Sequence, residues 1–375
     1  MVVTRTGNVV HAATPSALPS GMGPANYHSA YNLPTNGPAG ATVAIVDAFD
    51  DATIYADLKK YSQTFGIPVL PKCTASVTTS CFKKANRGAS PGSAVLFGWD
   101  VEIALDVETV HAICENCKIV LVEAPSANTS DLSAAEKYAG KQASIVSNSF
   151  GGYEDDGAVG APYDGAFNQP NHAIVVAAGD NGYGVSWPAS LNSVISVGGT
   201  RLTLNASGGY GGETTWSDGI SSGTGSGCSS AAVGGAFGIT AVKAKAFQKS
   251  AAGWAATKCG SFRGDNDVAA NADPISGSAV YASSQGGFVQ VGGTSLSAPL
   301  IAGVYALKGN AASTAYPASF LYSNLGTAAF HDVTTGNDNV HNWPLACPAG
   351  STQCIAAAGY DLPTGVGTPN GTGGF

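Results

Sequence analysis

Three short stretches hold the residues that could do chemistry. Gly292-Gly293-Thr294-Ser295-Leu296-Ser297-Ala298-Pro299 leads into an apolar run, Leu300 to Leu307, with helical spacing that stops at Gly309-Asn310. That pattern predicts Ser295 at a helix N-terminus. Unpaired N–H groups and the positive end of the helix dipole there favour the negative charge that develops when a serine attacks a carbonyl. Pro299 is expected in the first turn, where its missing N–H sacrifices no hydrogen bond. Such a serine needs a base, a group to orient the base, and donors for the oxyanion. None of the six histidines stands in a His-Gly-Thr setting, and His111, inside Thr109-Val110-His111-Ala112, reads as a core residue. Two acids fill the gap. Glu102 and Asp106 are four residues apart in a helical stretch over 101–113, so both carboxyls project from one face, with Ile103, Leu105 and Val107 on the others. Like charges at that spacing repel, and a chain this poor in charge has little reason to place them there by accident. Glutamate can accept a proton in acid, where histidine would already be protonated. Asp180, ending Ala177-Ala178-Gly179-Asp180, is a further acid at the end of an apolar run. Asp47 closes an apolar run at 41–47 and reads equally as a strand-end cap or as a support to the acid pair.

These residues require a scaffold that gathers them. Apolar runs at 41–47, 118–124, 144–150, 172–180 and 194–197 alternate with helical stretches at 51–65, 101–113 and 131–142. Strands that are apolar throughout, separated by helices, indicate an α/β fold with a mostly parallel central sheet and helices on both faces. A parallel sheet collects its functional groups at the carboxyl ends of its strands, where Asp47 and Asp180 fall. Residues 1–40, rich in Pro, Gly and Asn, read as an extended N-terminal segment anchored by Tyr27, Tyr31 and Leu33. Residues 200–290 suggest loops, hairpins and one helix near 239–252. No linker or internal repeat interrupts residues 1–375, which gives a single domain. The stretch Gly223-Thr224-Gly225-Ser226-Gly227 reads as a loop, since it neither follows a clear strand nor opens a helix.

The eight cysteines group as neighbours, most simply Cys73–Cys81, Cys114–Cys117, Cys228–Cys259 and Cys347–Cys354, four disulfides made in an oxidising compartment. Cys114-Glu115-Asn116-Cys117 alone could also be a redox or zinc half-site, although no second pair stands at ligand spacing. Charged residues make up only 11% of the chain and the net charge is −8. With no basic cluster, nucleic acid and anionic membranes are poor partners. Few carboxylates also suit a protein living in acid. No apolar run reaches the ~20 residues of a membrane span.

Taken together, Glu102-Ile103-Ala104-Leu105-Asp106, Ala177-Ala178-Gly179-Asp180-Asn181-Gly182 and Gly293-Thr294-Ser295 resemble, in order, the motifs of the sedolisins, the serine-carboxyl peptidases of the subtilisin-like clan. The resemblance implies a subtilisin-like fold. It makes Ser295 the nucleophile, Glu102 its general base, Asp106 the residue that orients Glu102 and shares its proton, and Asp180 the oxyanion donor. It departs at two positions, where Asp47 and Phe150 stand in place of a glutamate and a tryptophan that often extend the acid network. Near the C-terminus, within 328–370, the resemblance implies one structural calcium ion held by the side chains of Asp332 and Asp361 and the carbonyls of Val333, Ala357 and Gly359. It also implies an N-terminal prodomain in the precursor, of which none is recognisable here.

The expectation is therefore a secreted, monomeric, acid-acting endopeptidase with a bell-shaped pH profile centred at roughly pH 3–5.5 from ordinary carboxyl pKa values. Ser149, Phe150, Gly151 and Gly152 offer an edge to extended substrate backbone. The rivals are a neutral subtilase using Asp47, His111 and Ser295, and a catalytically silent secreted binding protein on the same scaffold.

Overall fold

The architecture is seen in a computed structural model that describes residues 18–153, 162–229, 241–309, 316–340 and 347–375. Eight strands form the main sheet: β1 (Thr42–Ala48), β2 (Phe82–Asn86), β3 (Lys118–Ala124), β4 (Ile145–Asn148), β5 (Ala173–Ala177), β6 (Ile195–Leu204), β7 (Tyr210–Thr215) and β8 (Val268–Asn271). Their order is β7-β6-β5-β4-β1-β3-β2, with β8 also paired to β6, and every pairing is parallel except that of β7 with β6. From Val43 onward every residue of β1 is buried, odd and even alike, so both faces of the sheet centre are covered.

Five helices matter most for the site: α1 (Pro24–Ala30), α2 (Ile54–Phe65), α3 (Asp100–Ile113), α4 (Thr129–Ala139) and α5 (Thr294–Lys308). Both α3 and α5 lack a polar face, since all of α3 and all of α5 up to Leu307 are buried. They pack directly against each other. A Cβ at Gly303 of α5 would lie 2.6 Å from the Cβ of Ile113, so only glycine allows the helices to come this close. Parallel register does the rest. Val46 of β1 faces Asn148 of β4, and Asn148 faces Val176 of β5. Asp47, the last residue but one of β1, and Ser149 and Asp180, in the segments that leave β4 and β5, fall along one edge of the sheet.

Four expectations are corrected. Gly223 to Gly227 is not a loop but most of a strand, Gly223–Cys228, outside the main sheet. The N-terminal segment is not extended throughout, because Pro24 opens α1, whose Tyr27 and Ala30 are buried; residues 1–17 lie outside the described part. Pro299 is the sixth residue of α5 and not in its first turn, so a carbonyl one turn back, that of Ser295, loses its helical N–H. The helix near 239–252 is reduced, among the described residues, to the single turn Ala246–Lys249. All four disulfides join the sequence neighbours, which removes the half-site reading of Cys114 and Cys117.

Buried acids make this fold sensitive to alkali. Burial pushes Glu136, on α4, up to about 8 and Asp47 up to about 7. Between their ordinary values and these raised ones the folded state holds more protons than the unfolded chain, so stability is fully present in acid and is lost as pH rises. The melting temperature should be highest near pH 4 and fall toward pH 8, and Glu136→Gln should flatten the fall above about pH 6. Melting curves across that range check this; a melting temperature that climbs from pH 4 to 8 would contradict it.

Candidate active site

Ser295 is the second residue of α5 and is 5% exposed. The residue before the helix, Gly293, has φ 120° and no side chain to cap the helix. Asp180 supplies the cap from across the fold: its Oδ1 accepts from the Thr294 N–H at 2.8 Å and from the Thr294 hydroxyl at 2.8 Å. Thr294 Oγ1 in turn accepts from the Gly179 N–H at 3.0 Å. A Cβ on Gly293 would sit 2.7 Å from Asp180 Oδ2, so both the positive φ and the close carboxyl demand glycine. Thr294 is thus a clamp for Asp180 that sequence reading missed, although it lies inside the quoted motif. A hydroxyl next to the candidate serine was the available signal.

On α3, Glu102 and Asp106 are both fully buried, as is Asp47 at the end of β1. Both oxygens of Asp47, both of Glu102 and Oδ2 of Asp106 make no hydrogen bond. The Ser295 hydroxyl does act on the Glu102 carboxyl, partly offsetting burial, without closing a full hydrogen bond in this state; catalytic contacts often tighten only with substrate bound. Burial raises Glu102 and Asp106 well above the usual carboxyl range, and repulsion from Asp47 adds to both. Burial likewise lifts Asp180 to about 6, against the pull of its two Thr294 hydrogen bonds. Five bare carboxyl oxygens in a dry site cannot all carry charge, so the cluster must hold protons in common.

Ser149 meets this cluster: its hydroxyl lies 2.9 Å from Asp106 Oδ1 and 3.3 Å from the Ser295 carbonyl. Residues 149–152 form one wall of a cleft of about 100 Å³ that also takes in Asp180, Ser186 and Ser295. The Phe150 ring packs edge-on against Phe167. Gly152 already pairs with Trp187, so one of its two edges is taken.

His111 stands apart. It lies nine residues beyond Glu102 on the same helix, half a turn round and ~13 Å along the axis. Its Nε2 is 2.8 Å from the Pro68 carbonyl, and burial lowers its pKa to about 4. Among the described residues no histidine bonds to Ser295 or to the acid cluster.

The C-terminal acids do come together. Asp332 accepts from the Gly359 N–H at 3.0 Å. Asp361 accepts from the Ala357 N–H at 2.8 Å and from the N–H and hydroxyl of Thr364 at 2.9 and 2.8 Å. Burial pushes Asp361 up to about 8, with the charge of Asp332 adding to the rise. Val333 is buried. No group of three or more His, Cys, Asp or Glu that could hold a metal occurs among the described residues.

A mostly parallel α/β sheet whose carboxyl edge holds a helix-terminal serine and a carboxyl cluster defines a subtilisin-like fold. The model of the subtilase family matches residues 88–321, and within the wider subtilisin-like group the chain belongs with the sedolisins. It is 30% identical to kumamolisin of Bacillus sp. (strain MN-32), covering 96% of this chain and 64% of that protein. It is 25% identical to sedolisin of Pseudomonas sp. (strain 101), covering 91% and 58%. The chain thus spans about six-tenths of the length of these relatives. The solved structure of Pseudomonas sedolisin, a serine-carboxyl proteinase, matches with a TM-score of 0.74 at 23% identity, over 93% of this chain and 95% of that one. A psychrophilic protease, S41, matches at 0.52 and 16%, over 95% and 99%.

The site makes a prediction independent of substrate. A serine-directed phosphonylating reagent should label Ser295 in acid, and Thr294→Val, which removes the hydroxyl that holds Asp180 and accepts from the Gly179 N–H, should slow labelling roughly tenfold while Thr294→Ser does not. Intact-mass kinetics read this. Equal rates in Thr294→Val and wild type would show that the clamp is irrelevant to the nucleophile.

Proposed function

We propose that this chain is the catalytic domain of a serine-carboxyl endopeptidase that hydrolyses peptide bonds in acid through an acyl-enzyme on Ser295. The observation that carries the reading is the convergence of Ser295, the Glu102/Asp106 pair and Asp180 in one dry site, with His111 held elsewhere by Pro68. Glu102 takes the Ser295 proton as the serine attacks. Asp106 orients Glu102 and shares its proton, with Asp47 behind them both. Asp180 Oδ1 is held by Thr294, and as a neutral acid Asp180 donates to the oxyanion. The substrate chain lies along Ser149, Phe150, Gly151 and Gly152, with a side chain in the adjoining cleft. In this reading the chain folds as one domain, is secreted as a monomer and is made with an N-terminal prodomain. Among the described residues no helix is long and apolar enough to cross a membrane.

Calcium fits the C-terminal loops. A buried carboxyl beside a like charge suits a hard cation that takes oxygen ligands. Asp332 and Asp361 would hold it by side chain, and Val333, Ala357 and Gly359 by carbonyl. Bound there, the ion supplies stability and takes no part in the reaction.

Ser295→Ala and Glu102→Gln should each cost at least about 1000-fold in kcat/KM on a peptide, while His111→Ala keeps most activity. The reverse pattern for Glu102 and His111 would establish the subtilase rival. Wild-type protein inactive at every pH, with Ser295 unlabelled, would favour the silent binding protein.

The pH profile should be bell-shaped. Glu102 must lose a proton to work and Asp180 must keep one, so activity should fall as pH passes about 6 and Asp180 ionises. Because burial lifts every member of the cluster, the bell sits higher than ordinary carboxyl values imply. Rates on an uncharged peptide, with circular dichroism on the same samples, test this; a plateau through neutrality would contradict it.

Chelation should lower the melting temperature by several degrees, restored by added calcium. Unchanged melting together with no metal in the purified protein would remove the site.

A further inference from the structure

Pro299 leaves the carbonyl of Ser295 without its helical donor. The group that reaches this carbonyl is the Ser149 hydroxyl, at 3.3 Å, and the same hydroxyl lies 2.9 Å from Asp106 Oδ1. A serine hydroxyl has one proton, so it cannot donate to both at once. Ionised Asp106 claims it, because a hydrogen bond to a charge is the stronger one. Protonated Asp106 can instead donate to Ser149 Oγ, which frees the Ser149 proton for the Ser295 carbonyl. Both demands are then met, in a site buried enough that an unmet carbonyl is costly.

We infer that Ser149 is a positioning residue that transmits the protonation state of Asp106 to the backbone of the nucleophile, locking Ser295 in place only while Asp106 holds a proton. This rests on the proposed roles of Ser295 and the acid pair and adds a structural link between them. The groups that face Asp106 and set its proton are Asp47 from β1, Glu102 from its own helix and Ser149 from the segment after β4. Asp180 and Ser295 act on the pair through Glu102. The arrangement gives acid two effects. It sets the charge of the base system, and it completes a hydrogen-bonded chain, Asp106 to Ser149 to Ser295, that fixes the first turn of α5.

The side chain of Ser149 can be removed without altering the backbone that would pair with substrate, so the two roles separate. In Ser149→Ala, kcat should fall roughly tenfold with KM changed less than about twofold. The wild-type lock is closed only while Asp106 is protonated, so the loss of kcat should be largest on the acid side of the profile and shrink along the alkaline limb, where the lock is already open. Ser149→Thr, which keeps the hydroxyl, should restore both rate and profile. Should the alanine variant not fold, Ser149→Cys keeps the size with a weaker donor and should move both quantities in the same direction. A wild-type kcat profile in a folded Ser149→Ala or Ser149→Cys would overturn the inference. So would a lower melting temperature with neither kinetic change, and a raised KM alone would make Ser149 a substrate contact. Each variant is read against wild type on peptide hydrolysis and Ser295 phosphonylation. A wild type that neither hydrolyses nor labels sinks the functional reading and this inference together, whereas an active wild type beside unaltered variants sinks this inference only.

Discussion

Four carboxyls, three of them fully buried and the fourth at the floor of the cleft, impose the constraint on which the site depends. Asp47, Glu102 and Asp106 are fully buried, Asp180 is 6% exposed, and no buried cation stands among the partners described for them. Such a cluster cannot hold four charges, since each ionisation raises the energy of the next and none is repaid by solvent. Its chemistry is therefore decided by where its protons sit. Asp180 has two donors aimed at one oxygen, both from Thr294, where Asp106 has one, from Ser149, and its rise is held to about 6. Glu102, beside Ser295, is bare on both oxygens and is poised to exchange a proton with the serine.

The fold serves this constraint by close approach. Gly303 brings α5 against Ile113 of α3, and Gly293 brings the start of α5 against Asp180. Parallel pairing of β1, β4 and β5 sets three more side chains on the same edge without any of them being neighbours in sequence. The helix that holds the acids has no side turned to solvent, so its carboxyls are buried in the folded protein. That arrangement has a cost in stability at neutral pH and an advantage in acid, where the protonated cluster is close to an ordinary polar core.

Much of this was legible in the sequence because local signals agreed with global ones. The βα rhythm gave β1, α2, α3, β3 and α5 to within a few residues, and cysteine proximity gave the disulfides. Ser295 at a helix start and the acids at i and i+4 followed from periodicity, whereas the assignment of Asp180 leaned on resemblance. Other features were not legible. The burial of Glu102 and Asp106 could not be read from spacing, because an acidic pair on a helix usually faces water. The Thr294 clamp and the double contact of Ser149 depend on residues more than a hundred positions apart. Pro299 was misplaced by one turn because the helix begins at Thr294, where the cap comes from Asp180 and leaves no local signature. Helix α1 was hidden among proline and glycine, whose turn-forming habit outweighed a seven-residue helix with Pro24 at its start.

The central claim is that Asp180 stays protonated in the folded protein at a pH where an ordinary aspartate is ionised. Infrared difference spectroscopy on protein with isotope-labelled aspartate, titrated from pH 3 to 8 beside Asp180→Asn, reads it directly. The account predicts a protonated aspartate signal that persists to about pH 6 and is missing from the Asn variant. Complete loss of that signal by about pH 4.5 while the protein remains folded, or its survival unchanged in Asp180→Asn, would contradict the account.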